Sequence, residues 1–180
     1  MHRQLGWILV LFVAAITCAA AQGEGPRANS EVLKQFPGYH PLTMAERNPD
    51  ARGFLLRNFP KSDSSVVHAD FDGDGHPDYA VLLKQDRGEN AKFVVLLCSD
   101  DAECRTVYEL DVTANIAEMY LRPVSKGSLV SESEATDSKD SASATKLHTA
   151  GIQLNYFEKA AVVYFWSQKT QKIEMIQSED

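Results

Sequence analysis

The chain of 180 residues carries 18 Lys and Arg against 25 Asp and Glu, a formal charge of −7, with 44% apolar residues and three cysteines. That acidic balance argues against nucleic acid and anionic lipid as partners, because both recruit basic surfaces. Length and apolar content fit one domain with a real core.

The first 21 residues, MHRQLGWILVLFVAAITCAAA, place Arg3 ahead of an apolar run over residues 7–16 and close on Ala19, Ala20 and Ala21. A basic start, a short apolar run and a small-residue cleavage site predict a secretory signal peptide, cut near Ala21–Gln22. The run falls short of the ~20 residues of a spanning helix, so no stable membrane insertion is expected after cleavage. Cys18 follows Ala15, Ile16 and Thr17, a poor match to a lipobox, which argues against lipid attachment. The predicted mature chain of 159 residues keeps 17 basic and 25 acidic residues, a charge of −8. Its expected location is the periplasm or the medium.

Residues 22–64 read as an N-terminal segment with short helices, part of the domain that follows. QGEGPRANS (22–30) has the texture of a flexible start. SEVLKQF (30–36) opens on a candidate cap, Ser30, and ends at PGYHP, which predicts a short helix. TMAERNPDARGFLLR (43–57) opens on Thr43, and Pro49 and Gly53 divide it into two short pieces.

Residues 65–180 change texture. SVVHADF, PDYAVLLK, KFVVLLCS and RTVYELDV are short runs rich in β-branched and aromatic residues and punctuated by Gly, Asp and Asn, as hairpin strands are. PDYAVLLK and KFVVLLCS are apolar on both faces, so both are predicted as central strands. EMYLRPV adds another strand. Residues 125–146 carry Ser, Asp and Glu and no aromatic residue, and predict a mobile acidic Ser-rich surface loop. GIQLNYF then alternates, with Ile152, Leu154 and Tyr156 on one face and Gln153 and Asn155 on the other. AVVYFWS and IEMIQ complete a terminal meander. The predicted fold is mostly β: an antiparallel hairpin and meander sheet with one or two short N-terminal helices, α+β being the alternative.

Cys98 and Cys104 in CSDDAEC survive cleavage. An even pair in an exported chain, at the end of one strand and the start of the next, predicts a disulfide across a hairpin.

The segment VVHADFDGDGHPDYAVLL (66–83) places Asp70, Asp72, Asp74 and Asp78 in nine residues. Four crowded carboxylates repel, and a divalent cation would relieve that repulsion. Calcium takes six to eight hard oxygens, and carboxylates at alternating positions of a tight turn point inward together. Gly75 permits the bend, and the His76 carbonyl can supply a further oxygen. An EF-hand needs a bidentate Glu at position 12 and flanking helices; here position 12 is Val81 and the flanks are strands, so that motif is rejected. The segment resembles the calcium loop of FG-GAP/VCBS-type repeats, D-x-D/N-x-D-G-x-x-D followed by a short apolar strand. The resemblance covers fifteen to twenty residues. It implies that Asp70, Asp72, Asp74, His76 (through its carbonyl) and Asp78 bind one Ca²⁺. A propeller needs a copy in each blade, and the chain has one, so neither a full propeller nor an adhesion role follows.

No H-E-x-x-H, G-x-S-x-G or phosphate-binding glycine loop is present, and no catalytic residue is assigned. The aromatic residues Tyr156, Phe157, Tyr164, Phe165 and Trp166 read as core and hydrophobic face. The expectation is a non-catalytic calcium-binding module with a structural Ca²⁺, binding a protein or glycan. The alternative is a secreted hydrolase or an inhibitor of one.

Overall fold

A computed structural model describes residues 32–99, 103–131 and 144–178. The predicted signal peptide, Ser30 and the middle of the acidic Ser-rich segment lie outside the described residues. What is described is mostly β and antiparallel, with two short helices, and it is neither a closed barrel nor a propeller.

Strands β1 (Tyr39–Pro41), β2 (Val66–Ala69), β3 (Asp78–Gln85), β4 (Ala91–Cys98) and β5 (Cys104–Asp111) form the first sheet. β4 and β5 follow β3 as successive hairpins, and β1 and β2 pair with different stretches of β3, residues 83–85 and 78–81. The second sheet runs β11 (Lys172–Ser178), β10 (Ala160–Ser167), β9 (Gly151–Tyr156), β6 (Met119–Val124). The predicted mostly β, antiparallel fold is thus present, its strands divided between two principal sheets. Their inner faces share one core, in which Ala80, Leu82, Phe93, Val95 and Leu97 meet Met119, Leu121, Ile152, Leu154 and Trp166.

The period of two along β3 and β4 explains why both are apolar throughout. Ala80, Leu82, Phe93 and Val95 point to the shared core, whereas Tyr79, Val81, Leu83, Val94 and Leu96 point outward. A helical turn over residues 32–35 and β1 cover that outer face with Val32, Phe36 and Tyr39.

Within the predicted acidic loop, residues 129–131 and 144–146 are strand. β7 (Leu129–Ser131) and β8 (Ala144–Lys146) pair as a two-stranded ribbon, and Val130 and Leu147 pack on Val163 and Ile176 of the second sheet. Within 43–57 the division into two pieces holds. A 3-10 turn spans Met44–Glu46, and α1 spans Pro49–Asn58. Pro49 starts α1, where its missing N–H costs nothing, and the Asn48 side chain accepts the Asp50 N–H at 2.8 Å. Gly53 does not break α1.

Arg47, buried between these pieces, ties them to β6 and to the segment that leads into β2. Its guanidinium donates to the carbonyls of Met119 and Ser64 and to Ser65 Oγ. Burial lowers its pKa to about 10, so it remains charged at neutral pH. Asn155, predicted on the polar face of β9, is also buried, and its amide donates to the Tyr120 and Gln153 carbonyls.

Candidate metal centre

β2 and β3 pair up to Ala69 and Asp78, so residues 70–77 form the connecting loop of a hairpin. The loop is anchored at both ends by side chains with no exposure, Phe71 in the shared core and Asp78 at the first position of β3. Gly73 and Gly75 take φ of 89° and 94°, the left-handed region that glycine enters without strain. Gly73 has a second reason to be glycine, since a Cβ there would sit 3.1 Å from Thr149 Cγ2.

These bends gather carboxylates. Asp70, Asp72 and Asp78 each offer an oxygen within 4.8 Å of the others'. Each is oriented by backbone amides. Asp70 accepts the N–H groups of Gly73 at 2.6 Å and Gly75 at 3.1 Å, and Asp72 accepts that of Asp74 at 3.1 Å. Asp78 accepts from Phe71 at 2.7 Å and from Cys98, on the neighbouring strand β4, at 2.9 Å. A carboxylate oxygen carries more than one lone pair, so an accepted N–H leaves room for a cation. The Asp74 carboxylate stands outside this group. It is exposed and accepts the His76 N–H at 2.8 Å. Of the five predicted ligands, three side chains therefore converge, and residues 74–76 form the turn beside them.

The electrostatics are those of an anion cluster that the nearby Arg105 offsets only in part. Burial, helped by repulsion from Asp72 and Asp74, raises the Asp78 carboxyl to about 6 against its two amide bonds. Burial likewise raises Asp72, with Asp74 and Asp70 adding repulsion and Arg105 opposing them. Three hard oxygens in one place could hold a hard divalent cation.

An open cleft of about 370 Å³ adjoins the group, lined by Asp72, Asp74, Ser99, Glu103, Arg105 and the Cys98–Cys104 disulfide. That disulfide is present as predicted, linking the facing ends of β4 and β5. The Asp78–Cys98 hydrogen bond thus joins the acidic hairpin to the cross-linked one.

Among the aromatic residues, Tyr164 and Trp166 are core and Phe165 lies half-buried on the outer face. Phe157 packs on Phe54 with ring centroids 5.4 Å apart. The cluster that sequence spacing missed is at His40, whose ring lies between Asp86 and Glu46. These partners are 46 and 6 residues away, and no local motif links them. No known protein family, curated protein or solved structure matches this chain.

Proposed function

We propose that this chain is an exported, non-catalytic calcium-binding module in which one structural Ca²⁺ closes the β2–β3 hairpin. The observation that carries this reading is the convergence of Asp70, Asp72 and Asp78 to within 4.8 Å. Like charges at that spacing repel by about 3 kcal/mol per pair at an effective dielectric near 20, and a divalent cation turns that repulsion into attraction. The resemblance of DFDGDGHPD to FG-GAP/VCBS-type loops supports calcium in particular. The disulfide supports an oxidising compartment, and with the signal-like N-terminus it supports export.

Ion binding at the hairpin leaves the rest of the surface for a partner, a protein or a glycan. The few protein oxygens imply modest affinity, with Kd on the order of 10⁻⁴ to 10⁻³ M, as in other extracellular modules. Calorimetric titration of chelator-stripped protein tests the site. Saturable heat with calcium, and much weaker heat with magnesium, is expected. No heat up to several times the upper end of that affinity range overturns the proposal.

A further inference from the structure

A second group of titratable side chains stands apart from the acidic hairpin, on the edge of the first sheet. His40, in the middle of β1, has both ring nitrogens engaged by carboxylates. Nδ1 lies 2.7 Å from Asp86 Oδ1, and Nε2 lies 3.1 Å from each oxygen of Glu46. Asp86 follows β3 and Glu46 ends the 3-10 turn, so one ring ties β1 to two other elements. Lys84, the register partner of His40 on β3, completes the charged surroundings with Nζ 3.3 Å from Glu46 Oε1.

A neutral imidazole has one N–H and one lone pair, whereas the imidazolium donates from both nitrogens. Two carboxylate contacts on one ring therefore suit only the charged form. On discharge, one of them becomes a lone pair facing an anion. The Asp86 bond, helped by Glu46 and opposed by burial, lifts the His40 pKa above its ordinary 6.5.

The ring acts beside a limited set of other ties, among them the buried Val32 side chain and the Asp86 N–H donated to the Gly38 carbonyl at 2.9 Å. β1 has no fully buried residue and pairs with β3 at three positions. Together with the turn over residues 32–35 it covers Tyr79, Val81, Leu83, Val94 and Leu96. The Lys92 ammonium lies 5.9 Å from the Phe36 ring centroid and 5.6 Å from that of Tyr39, and Gln35 donates to the Cys104 carbonyl at 2.6 Å.

We propose that residues 32–41 form a protonation-gated strap: the His40 imidazolium clamps it to the first sheet, and loss of that proton loosens it from the apolar outer face of β3 and β4. The sign follows from linkage. A pKa raised in the folded state gives a contribution fully present below the ordinary 6.5 and lost as pH rises through the raised value. Loosening therefore belongs to neutral and mildly alkaline pH. It does not depend on calcium at the other end of β3.

Hydrogen exchange of the full chain, corrected for the intrinsic pH dependence of amides, tests this between about pH 6 and about pH 9, the range in which an imidazole discharges. Peptides covering residues 32–41 should gain about threefold or more in corrected rate, with β9 and β10 unchanged, and His40→Gln should be fast at both ends. Equal corrected rates in the native chain, or a pH response that survives in His40→Gln, overturns the proposal. Should His40→Gln not fold, the His40 Hε1 resonance of the native chain decides: a folded pKa above 6.5 that falls in Asp86→Asn supports the strap, and one at 6.5 or below refutes it.

Discussion

Replacing Asp72 by Asn removes one negative charge from the acidic hairpin and changes little else. Asp72 is half-exposed, and the bond it accepts from the Asp74 N–H can pass to the amide oxygen of Asn. Its carboxylate lies within 4.8 Å of those of Asp70 and Asp78. Each such pair repels by about 3 kcal/mol at an effective dielectric near 20. Solvent screening at a half-exposed group, and the lost attraction of Arg105, reduce the recovered stability to about 1 kcal/mol. In chelator, then, Asp72→Asn is the more stable protein. Calcium reverses the order. With Kd on the order of 10⁻⁴ to 10⁻³ M, about 10 mM calcium stabilises the native chain by about 1.4 to 2.7 kcal/mol, and the variant, lacking a ligand, gains little. Urea denaturation at neutral pH and low salt, in chelator and in calcium, measures both differences. A variant less stable than the native chain in chelator, or one with an undiminished calcium gain, refutes the reasoning.

Two further outcomes follow from the same geometry. Gly73→Ala and Gly75→Ala both force a side chain into the left-handed region at about 1 to 2 kcal/mol. Only Gly73→Ala also crowds Thr149, and its loss in denaturation midpoint should be clearly the larger. At the other end of the sheet, burial pushes the Glu46 carboxyl up, but bonds from Thr43, His40 and Lys84 outweigh it and hold it at about 2. A depressed carboxylate contributes stability above its ordinary 4.5 and loses it as pH falls toward 2. Its side chain is 23% exposed, which limits the contribution to about 1 to 2 kcal/mol. The gap between native chain and Glu46→Gln should therefore shrink by more than half from about pH 6 to about pH 3.

The strands were legible because their patterns are local. PDYAVLLK and KFVVLLCS are apolar at successive positions, and the structure buries both faces of β3 and β4 as that requires. The division into two sheets was not legible, because it depends on β6 joining β9 across the 151–156 register, which no short-range pattern encodes. Leu129 and Val130 were too few to mark a strand inside an acidic stretch; their pairing becomes visible only with Thr145 and Lys146 beside them. Asn155 illustrates the limit of alternation, which places it opposite Ile152 and Leu154 but does not say that this face is covered there and that the Tyr120 carbonyl accepts its amide. In the acidic loop, spacing identified the carboxylates that converge, but not that Asp74 instead takes the amide of His76.

Where the acidic hairpin sits decides what an ion there would do. Were the ligands all on an exposed turn, the loop could open alone, and binding energy would order only that loop. Here the loop begins beside Phe71 and ends at Asp78, both without exposure. Asp78 receives amides from Phe71 and from Cys98 on the adjacent strand, so moving it away breaks a core contact and disturbs the edge of the cross-linked hairpin. Local opening and global unfolding are thereby drawn together. Calcium bound at Asp78 should raise both the unfolding free energy of the whole two-sheet domain and the free energy of opening the hairpin loop, whereas a ligand touching Asp74 alone would stay bound only while that exposed turn is closed and would leave the opening of the Asp78 contacts unaffected.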